Sequence, residues 1–383
     1  MAESTPLRIL HLVGADEDLG GVLSVIRNIQ SGIGATCHHV VLVNQSYCET
    51  RRPTLEYRRS RHLLMETPTA GEFIRRGWMA FAELRDQLAR EPFDLLHAHA
   101  RGPLVVAMLA TLRLRRPVLF TNHAFARRTI LYRLAARWPR LTTVVLSPAM
   151  AQHYRLPKQS PRIKIISACC GDSFFVEPLR RESVSRAANA VLRLAGVGNV
   201  IRWKNWNLVV QSISLLPEDL RRRVLFDIWG PTPADSDSQA YARQLTELIA
   251  AHQLDSQIRL RGSTNGITAV LQEVDWFILP STNEPCSVAL MEALALGVPA
   301  LASASGGNGD ILDDGRTGLL FRPDDPSDLA RNLSRILRGE FRAVEPAALR
   351  DSVRLRSATA IGAQYLELYR TMARPPSRPH SLF

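Results

Sequence analysis

Residues 275–300 read Asp275-Trp276-Phe277-Ile278-Leu279-Pro280-Ser281-Thr282-Asn283-Glu284-Pro285-Cys286-Ser287-Val288-Ala289-Leu290-Met291-Glu292-Ala293-Leu294-Ala295-Leu296-Gly297-Val298-Pro299-Ala300. An apolar strand, residues 275–280, runs into a polar loop, and Glu284 follows. A helix from Ser287 to Leu296 is then closed by Gly297 and Pro299. Apolar residues fall on every face of that helix, which predicts that it lies inside the protein. A lone carboxylate at Glu292 is costly there unless something hydrogen-bonds it. A hydroxyl-rich ligand would do so.

The same alternation extends in both directions. In the first half, strands are expected at Arg8–Val13, His39–Val43, Phe93–His97, Val118–Thr121, Thr142–Leu146 and Ile163–Ser167. Helical periodicity covers Val22–Gln30, Phe73–Leu88, Leu104–Leu114 and Ile130–Trp138. Around residues 170–190 the pattern breaks, with Glu177-Pro178 and a charged run from Arg180 to Arg186. Strands resume at Ala190–Leu194, Arg223–Ile228, Ile258–Arg261, Ala300–Ala302 and Gly318–Phe321, with helices between them. Short apolar strands separated by helices predict parallel sheets covered on both faces. The expectation is an α/β chain of two doubly wound, Rossmann-like domains, 1–175 and 176–357, facing a cleft. A helix at 358–373 packs back on the first domain, and 374–383, with three prolines, forms a disordered tail. Ligands in such sheets sit at the carboxyl ends of the strands.

A chain of 383 residues suffices for two domains. Its 46% hydrophobic and 22% charged residues are those of a soluble globular protein. The longest apolar stretch, Pro103 to Leu112, is too short to span a bilayer, and the N-terminus lacks a signal-peptide pattern. Five cysteines, with Cys169 and Cys170 adjacent, fit neither a disulfide framework nor a zinc spacing. Reduced thiols in the cytosol are expected. The net charge of +12 is uneven: residues 1–175 hold 24 Lys+Arg against 13 Asp+Glu, the remainder 24 against 23. A basic first half suits an anionic membrane surface, although a solvated arginine-rich face is the commoner case. No zinc-finger spacing or aromatic RNA-binding signature accompanies it, so nucleic acid is not expected.

Several residues can carry chemistry. The loop and helix start at Pro285 to Val288 offer backbone N–H groups and a positive dipole end, an anion site. Lys204 is one of three lysines beside 45 arginines, in Arg202-Trp203-Lys204-Asn205-Trp206, and is placed to neutralise a phosphate with Arg202 assisting. A surface lysine between two packed tryptophans is an equal reading. Gly20-Gly21 after the first strand would let backbone approach a phosphate, or simply form a turn. His123 stands at a strand end facing the cleft, where a structural histidine is the commoner case. His97 and His99 form a His-x-His pair, an incomplete metal site without a third ligand. Neither a Gly-x-Ser-x-Gly elbow nor a P-loop is present.

Together these features resemble the retaining GT-B glycosyltransferases of family 4. Glu284-x7-Glu292 matches that family's Glu-x7-Glu motif. Leu294 to Ala300, Gly306-Gly307-Asn308-Gly309-Asp310 and Asp313 to Leu320 match the segments that flank it. The resemblance is strongest over residues 198–321 and thinner in the first half. It implies that Glu284 holds hydroxyls of a donor sugar, Glu292 a ribose diol and Lys204 a donor diphosphate. Amides near Cys286-Ser287-Val288 and at Gly20-Gly21 complete the phosphate cradle, and His123 sits near the sugar and acceptor. It implies hexosyl transfer with retention, no metal and no cofactor beyond the sugar nucleotide. Positive groups then stabilise the leaving diphosphate. The sequence departs from the family at Gly198-Asn199, where an arginine is usual and Arg202 would compensate, at Lys204-Asn205, where a glycine is usual, and at Ser167 to Asp172.

The expectation is therefore a cytosolic, metal-independent retaining glycosyltransferase, peripheral on the inner membrane face. It takes a UDP- or GDP-sugar and a glycan or lipid-diphosphate-linked sugar acceptor, in polysaccharide or envelope glycan synthesis. The first domain binds acceptor and the second donor. The rivals are a catalytically weak nucleotide-sugar-binding protein of the same fold and a sugar-nucleotide epimerase.

Overall fold

The computed structural model describes residues 5–18, 21–48, 55–65, 70–114, 116–157, 159–179 and 190–373. The chain divides into two compact units, Met1–Ser167 with Ala358–Phe383, and Ala168–Ser357.

Unit 1 is built on seven parallel strands: β1 (Leu7–Leu12), β2 (Cys37–Asn44), β3 (Glu56–Ser60), β4 (Leu95–His99), β5 (Val118–Asn122), β6 (Leu141–Val145) and β7 (Ile163–Ile165). Their order is β3-β2-β1-β4-β5-β6-β7, so the connections reverse direction between β1 and β4. The central strands are buried along most of their length, polar residues such as His11, His97 and Thr121 included, because helices cover both of their faces. Strand β3, with the sequence Glu-Tyr-Arg-Arg-Ser, is an edge strand held by charge: Arg58 pairs with Glu56 at 2.6 Å and with Glu91 at 2.9 Å. The helix Ala358–Ala373 crosses the helix Gly21–Ile33 at glycines. A methyl group at Gly32 would fall 1.9 Å from the Ala358 carbonyl oxygen, and one at Gly362 would fall 2.9 Å from the Gly32 backbone.

Unit 2 has six parallel strands: β8 (Leu192–Val197), β9 (Val224–Trp229), β10 (Ile258–Gly262), β11 (Trp276–Leu279), β12 (Ala300–Ser303) and β13 (Gly318–Phe321). The order β10-β9-β8-β11-β12-β13 puts its reversal between β8 and β11. Gly196 in β8 makes room for the fully buried Trp206, whose ring lies 2.4 Å from where a methyl group at Gly196 would sit.

Two expectations need adjustment. The first unit gives way at Ser167, not at 175, because the next segment is tied to unit 2: the Cys170 N–H donates to the Arg356 carbonyl at 3.2 Å. Within the expected linker, Ser173–Val176 is a short helix, and 180–189 lie outside the described residues. The tail at 374–383 also lies outside them.

Candidate active site

At the carboxyl ends of β8, β11 and β12, three neighbouring strands of unit 2, a set of loops is stapled together. After β8 the chain passes through Gly198 and a 3₁₀ turn, Arg202–Lys204. The Thr282 N–H, in the loop after β11, donates to the Trp203 carbonyl at 2.9 Å. The Gly307 N–H, in the loop after β12, donates to the Glu284 carbonyl at 2.8 Å, and Ser305 Oγ donates to the Thr282 carbonyl at 2.6 Å. This is the reversal point of the sheet, where doubly wound folds bind ligands.

Lys204 Nζ meets Glu284 Oε2 at 2.7 Å, with the side chains only 12% and 9% exposed. The lysine stem lies over Gly198, where a methyl group would fall 3.1 Å from Lys204 Cε. Its ammonium sits 4.4 Å from the centre of the Trp203 ring. Of the two tryptophans that bracket Lys204, only Trp206 is packed, and Trp203 is 40% exposed. Asn205 takes the left-handed backbone conformation at φ 58°, which explains why asparagine can stand where the related pattern has glycine. Its side chain donates to Asp324 at 3.0 Å.

Arg202 is not brought to this pair. A 3₁₀ turn advances about 120° per residue, so positions two apart face different directions. Its exposed guanidinium reaches Asp237 at 3.2 Å and lies 5.6 Å from the Tyr241 ring. Compensation for the arginine missing at Asn199 therefore has no support in this geometry.

The helix after Glu284 spans Val288–Ala295. Ser287 caps it, accepting from the Leu290 N–H at 3.2 Å, and Cys286 is buried beside it. The first-turn N–H groups at Val288 and Ala289 have no acceptor within the helix. Leu290, Met291 and Ala293 to Leu296 are buried as the sequence predicts, but Glu292 is half-buried, so its carboxylate is not sealed in the core. It lies close enough to Cys170 to help burial push that thiol upward.

In unit 1, Gly21 opens its helix at an exposed position, and none of the described residues lies within 4 Å of where an added methyl group would sit. Gly20 lies outside the described residues. His123 is half-buried just beyond β5. It belongs to a cluster that sequence reading saw only in part. His11, His39, His97 and His99 are buried on β1, β2 and β4, and parallel registers pair His11 with His97 and His99 with Thr121. All occupy odd positions, which places them on one face of the sheet with His123. The signal was available in the parity of these residues, but only once the strands were aligned. His97 Nδ1 lies 2.9 Å from the Tyr369 hydroxyl and its Nε2 lies 2.7 Å from Thr121 Oγ1. Thr121 Oγ1 meets the Tyr365 hydroxyl at 3.2 Å. Burial holds His39 and His123 down to about 4. Burial and the neighbouring imidazoles hold His11, His97 and His99 well below the ordinary histidine range. His11 supplies the third imidazole that the His-x-His pair lacked, with one ring nitrogen of each within 4.8 Å of the others.

Comparison with known proteins agrees with this architecture. Residues 187–353 match the family model described as glycosyl transferases group 1, and residues 19–169 match that of glycosyltransferase family 4. A 2-deoxystreptamine N-acetyl-D-glucosaminyltransferase of Niallia circulans is 26% identical over 300 residues, 72% of this chain and 73% of that protein. The structure of sucrose-phosphate synthase from Thermosynechococcus elongatus superposes with a TM-score of 0.80 at 19% identity, covering 96% of this chain and 99% of that one. Anabaena Alr3699/HepE, solved in complex with UDP-glucose, gives a TM-score of 0.74 at 16% identity, covering 95% of this chain and 100% of that one.

Proposed function

Given that this chain belongs to the GT-B glycosyltransferases of group 1, family 4, we propose that it moves a hexosyl unit from a UDP- or GDP-sugar to a hydroxyl of a glycan or lipid-diphosphate-linked sugar, with retention and without a metal. The observation that carries the reading is the shielded Lys204–Glu284 pair at the reversal point of the unit 2 sheet. A cation and a carboxylate side by side match a sugar nucleotide, which brings a diphosphate for the lysine and hydroxyls for the acid. Glu292, half-buried one turn into the next helix, is assigned to the ribose diol. The N–H groups near Cys286, Ser287 and Val288 complete the diphosphate cradle.

In the reaction the bond from the anomeric carbon to the phosphate oxygen breaks, and a bond to the acceptor oxygen forms on the same face. The acceptor proton passes to the departing phosphate oxygen. Lys204 and the helix N–H groups stabilise the charge that grows there. No enzyme nucleophile is needed. The UDP-glucose held by the Anabaena protein favours uridine as the base here.

Unit 1 supports a peripheral membrane role on the cytoplasmic side, with the acceptor bound there and used in polysaccharide or envelope glycan synthesis. Ile74, Trp78, Met79 and Leu112 are exposed, as are Arg75, Arg85 and Arg113, and the Arg113 guanidinium lies 5.4 Å from the centre of the Trp78 ring, a mix of apolar and cationic groups suited to an anionic membrane surface. Among the described residues no helix is long and apolar enough to cross a membrane. Equal binding to neutral and anionic vesicles would remove this part of the reading.

The test of the main proposal is a thermal-shift screen with UDP-glucose, UDP-N-acetylglucosamine, GDP-mannose and ADP-glucose. One uridine or guanosine sugar should raise the melting temperature, with or without EDTA. No shift with any of them would refute it. The absence of an arginine at Asn199 favours one alternative, a protein that binds the donor without turnover. Release of nucleoside diphosphate in the presence of a glycan extract separates the two.

A further inference from the structure

Four imidazoles in unit 1 are linked end to end. His39 Nδ1 lies 2.8 Å from His11 Nε2, His11 Nδ1 2.9 Å from His99 Nε2, and His99 Nδ1 2.9 Å from His123 Nε2. A neutral imidazole has one N–H and one lone pair. Each interior ring therefore donates once and accepts once, and all three bonds must run in the same direction. The inner end decides which. His39 Nε2 is buried and has no hydrogen-bond partner among the described residues. If the protons pointed inward, that atom would be an N–H orphaned in the core. If they point outward, it is only a bare lone pair. Orphaned buried N–H groups are the rarer of the two. The outward order leaves His123 accepting at Nε2 and carrying its proton on Nδ1.

We propose that His39, His11 and His99 are positioning residues that fix His123 as the neutral Nδ1–H tautomer, so that it donates a hydrogen bond to a ligand oxygen and does not act as a general base. The ligand-facing half rests on the function proposed above; the tautomer does not. Burial keeps the rings neutral, which the one-directional order requires. The clustering of His11, His97 and His99 also has the spacing of a metal site. All six of their ring nitrogens, however, already have polar partners: His39, His99, Tyr369, Thr121, His11 and His123. A metal would have to break several of these bonds.

The test is long-range proton–nitrogen NMR of protein labelled with 15N-histidine, whose ring nitrogen shifts report the tautomer. The wild-type spectrum should show His39, His11, His99 and His123 all as Nδ1–H, which needs no variant to fold. His99→Leu removes the donor to His123, which should then move towards the Nε2–H form. A wild-type His123 in the Nε2–H form, or zinc held stoichiometrically by His11, His97 and His99 through gel filtration, would overturn the proposal. For the ligand-facing half the probe is UDP-glucose. His123→Leu should weaken its binding about tenfold, the value of one hydrogen bond, and His123→Asn, which keeps an N–H near that position, should restore most of the loss. The Nδ1–H form without any effect of His123→Leu overturns the donor role alone. If the thermal-shift screen selects another of its sugar nucleotides, that one replaces UDP-glucose as the probe; failure of all of them to bind the wild type overturns the donor role and counts against the proposed function, while the tautomer result still stands.

Discussion

Replacing Lys204 by methionine keeps the aliphatic stem over Gly198 and removes only the charge that faces Glu284. The Glu284 side chain is 9% exposed, so its carboxylate is left with little water in place of the lost cation. A solvent-exposed pair would be worth about 0–1 kcal/mol, whereas breaking a buried pair costs about 3–5 kcal/mol. The lower end applies here, because both groups keep a narrow water contact. A loss of about 3 kcal/mol in a unit of this size corresponds to a fall of about 6–12 °C in melting temperature. Glu284→Gln should cost less, about 1–2 kcal/mol, because the stranded lysine can swing its ammonium into water. The double variant should recover part of the loss, leaving a coupling of about 2 kcal/mol between the two sites. Urea unfolding of the four proteins, followed through the unit 2 tryptophans, measures it. A coupling below about 0.5 kcal/mol would mean that the pair behaves as a surface contact and would refute this reasoning.

Other consequences are open to measurement. Glu292→Ala should weaken nucleotide-sugar binding while Glu284→Ala mainly lowers turnover; calorimetry and a diphosphate-release assay on both would show it, and wild-type behaviour from both would dismiss the site. The clustered His11, His39, His97, His99 and His123 are neutral in the folded protein, with His39 and His123 at about 4 against an unfolded value of about 6.5. Because the folded value lies below the unfolded one, the unfolded chain takes up more protons in that window, so their contribution is complete above pH 6.5 and declines as pH falls towards 4. Each histidine should steepen the loss by up to about 1.4 kcal/mol per pH unit, and calorimetry between pH 7.5 and 5 should show unit 1 losing stability faster than unit 2. Gly32→Ala should destabilise unit 1 by about 2 kcal/mol or more, since a methyl group there collides with backbone at Ala358; an unchanged melting temperature would contradict the close helix crossing.

Many strands of both sheets were legible because buried parallel strands carry short apolar runs, as in Trp276–Leu279 and Val118–Phe120. Strand β3 was not, since Glu56 and Arg58 hold it by ion pairs and leave no apolar pattern. Within the site, Lys204 and Glu284 could each be singled out from local sequence, but 80 positions separate them, and only the fold shows that they bond. Arg202 was misjudged from sequence proximity: two residues along a 3₁₀ turn is a change of face. Asn205 looked like a departure and is instead a second solution to the same backbone demand. The imidazole chain was hidden because its members come from four segments, and no periodicity within any one of them announces a partner.

The helix that closes unit 1 is the last described segment of the chain. Its Tyr369 and Tyr365 hydroxyls meet His97 and Thr121, and its backbone fills the groove at Gly32. During synthesis every residue of unit 2 must emerge before these groups exist. At about 5–20 residues per second that is a delay of roughly 10–40 s. Throughout it the nascent N-terminal sheet stands with polar atoms uncapped and an apolar flank bare to solvent or to a chaperone. The order of translation thus makes the final helix a latch, and a chain cut off near residue 357 would carry the whole of unit 2 but a first unit without its closing helix.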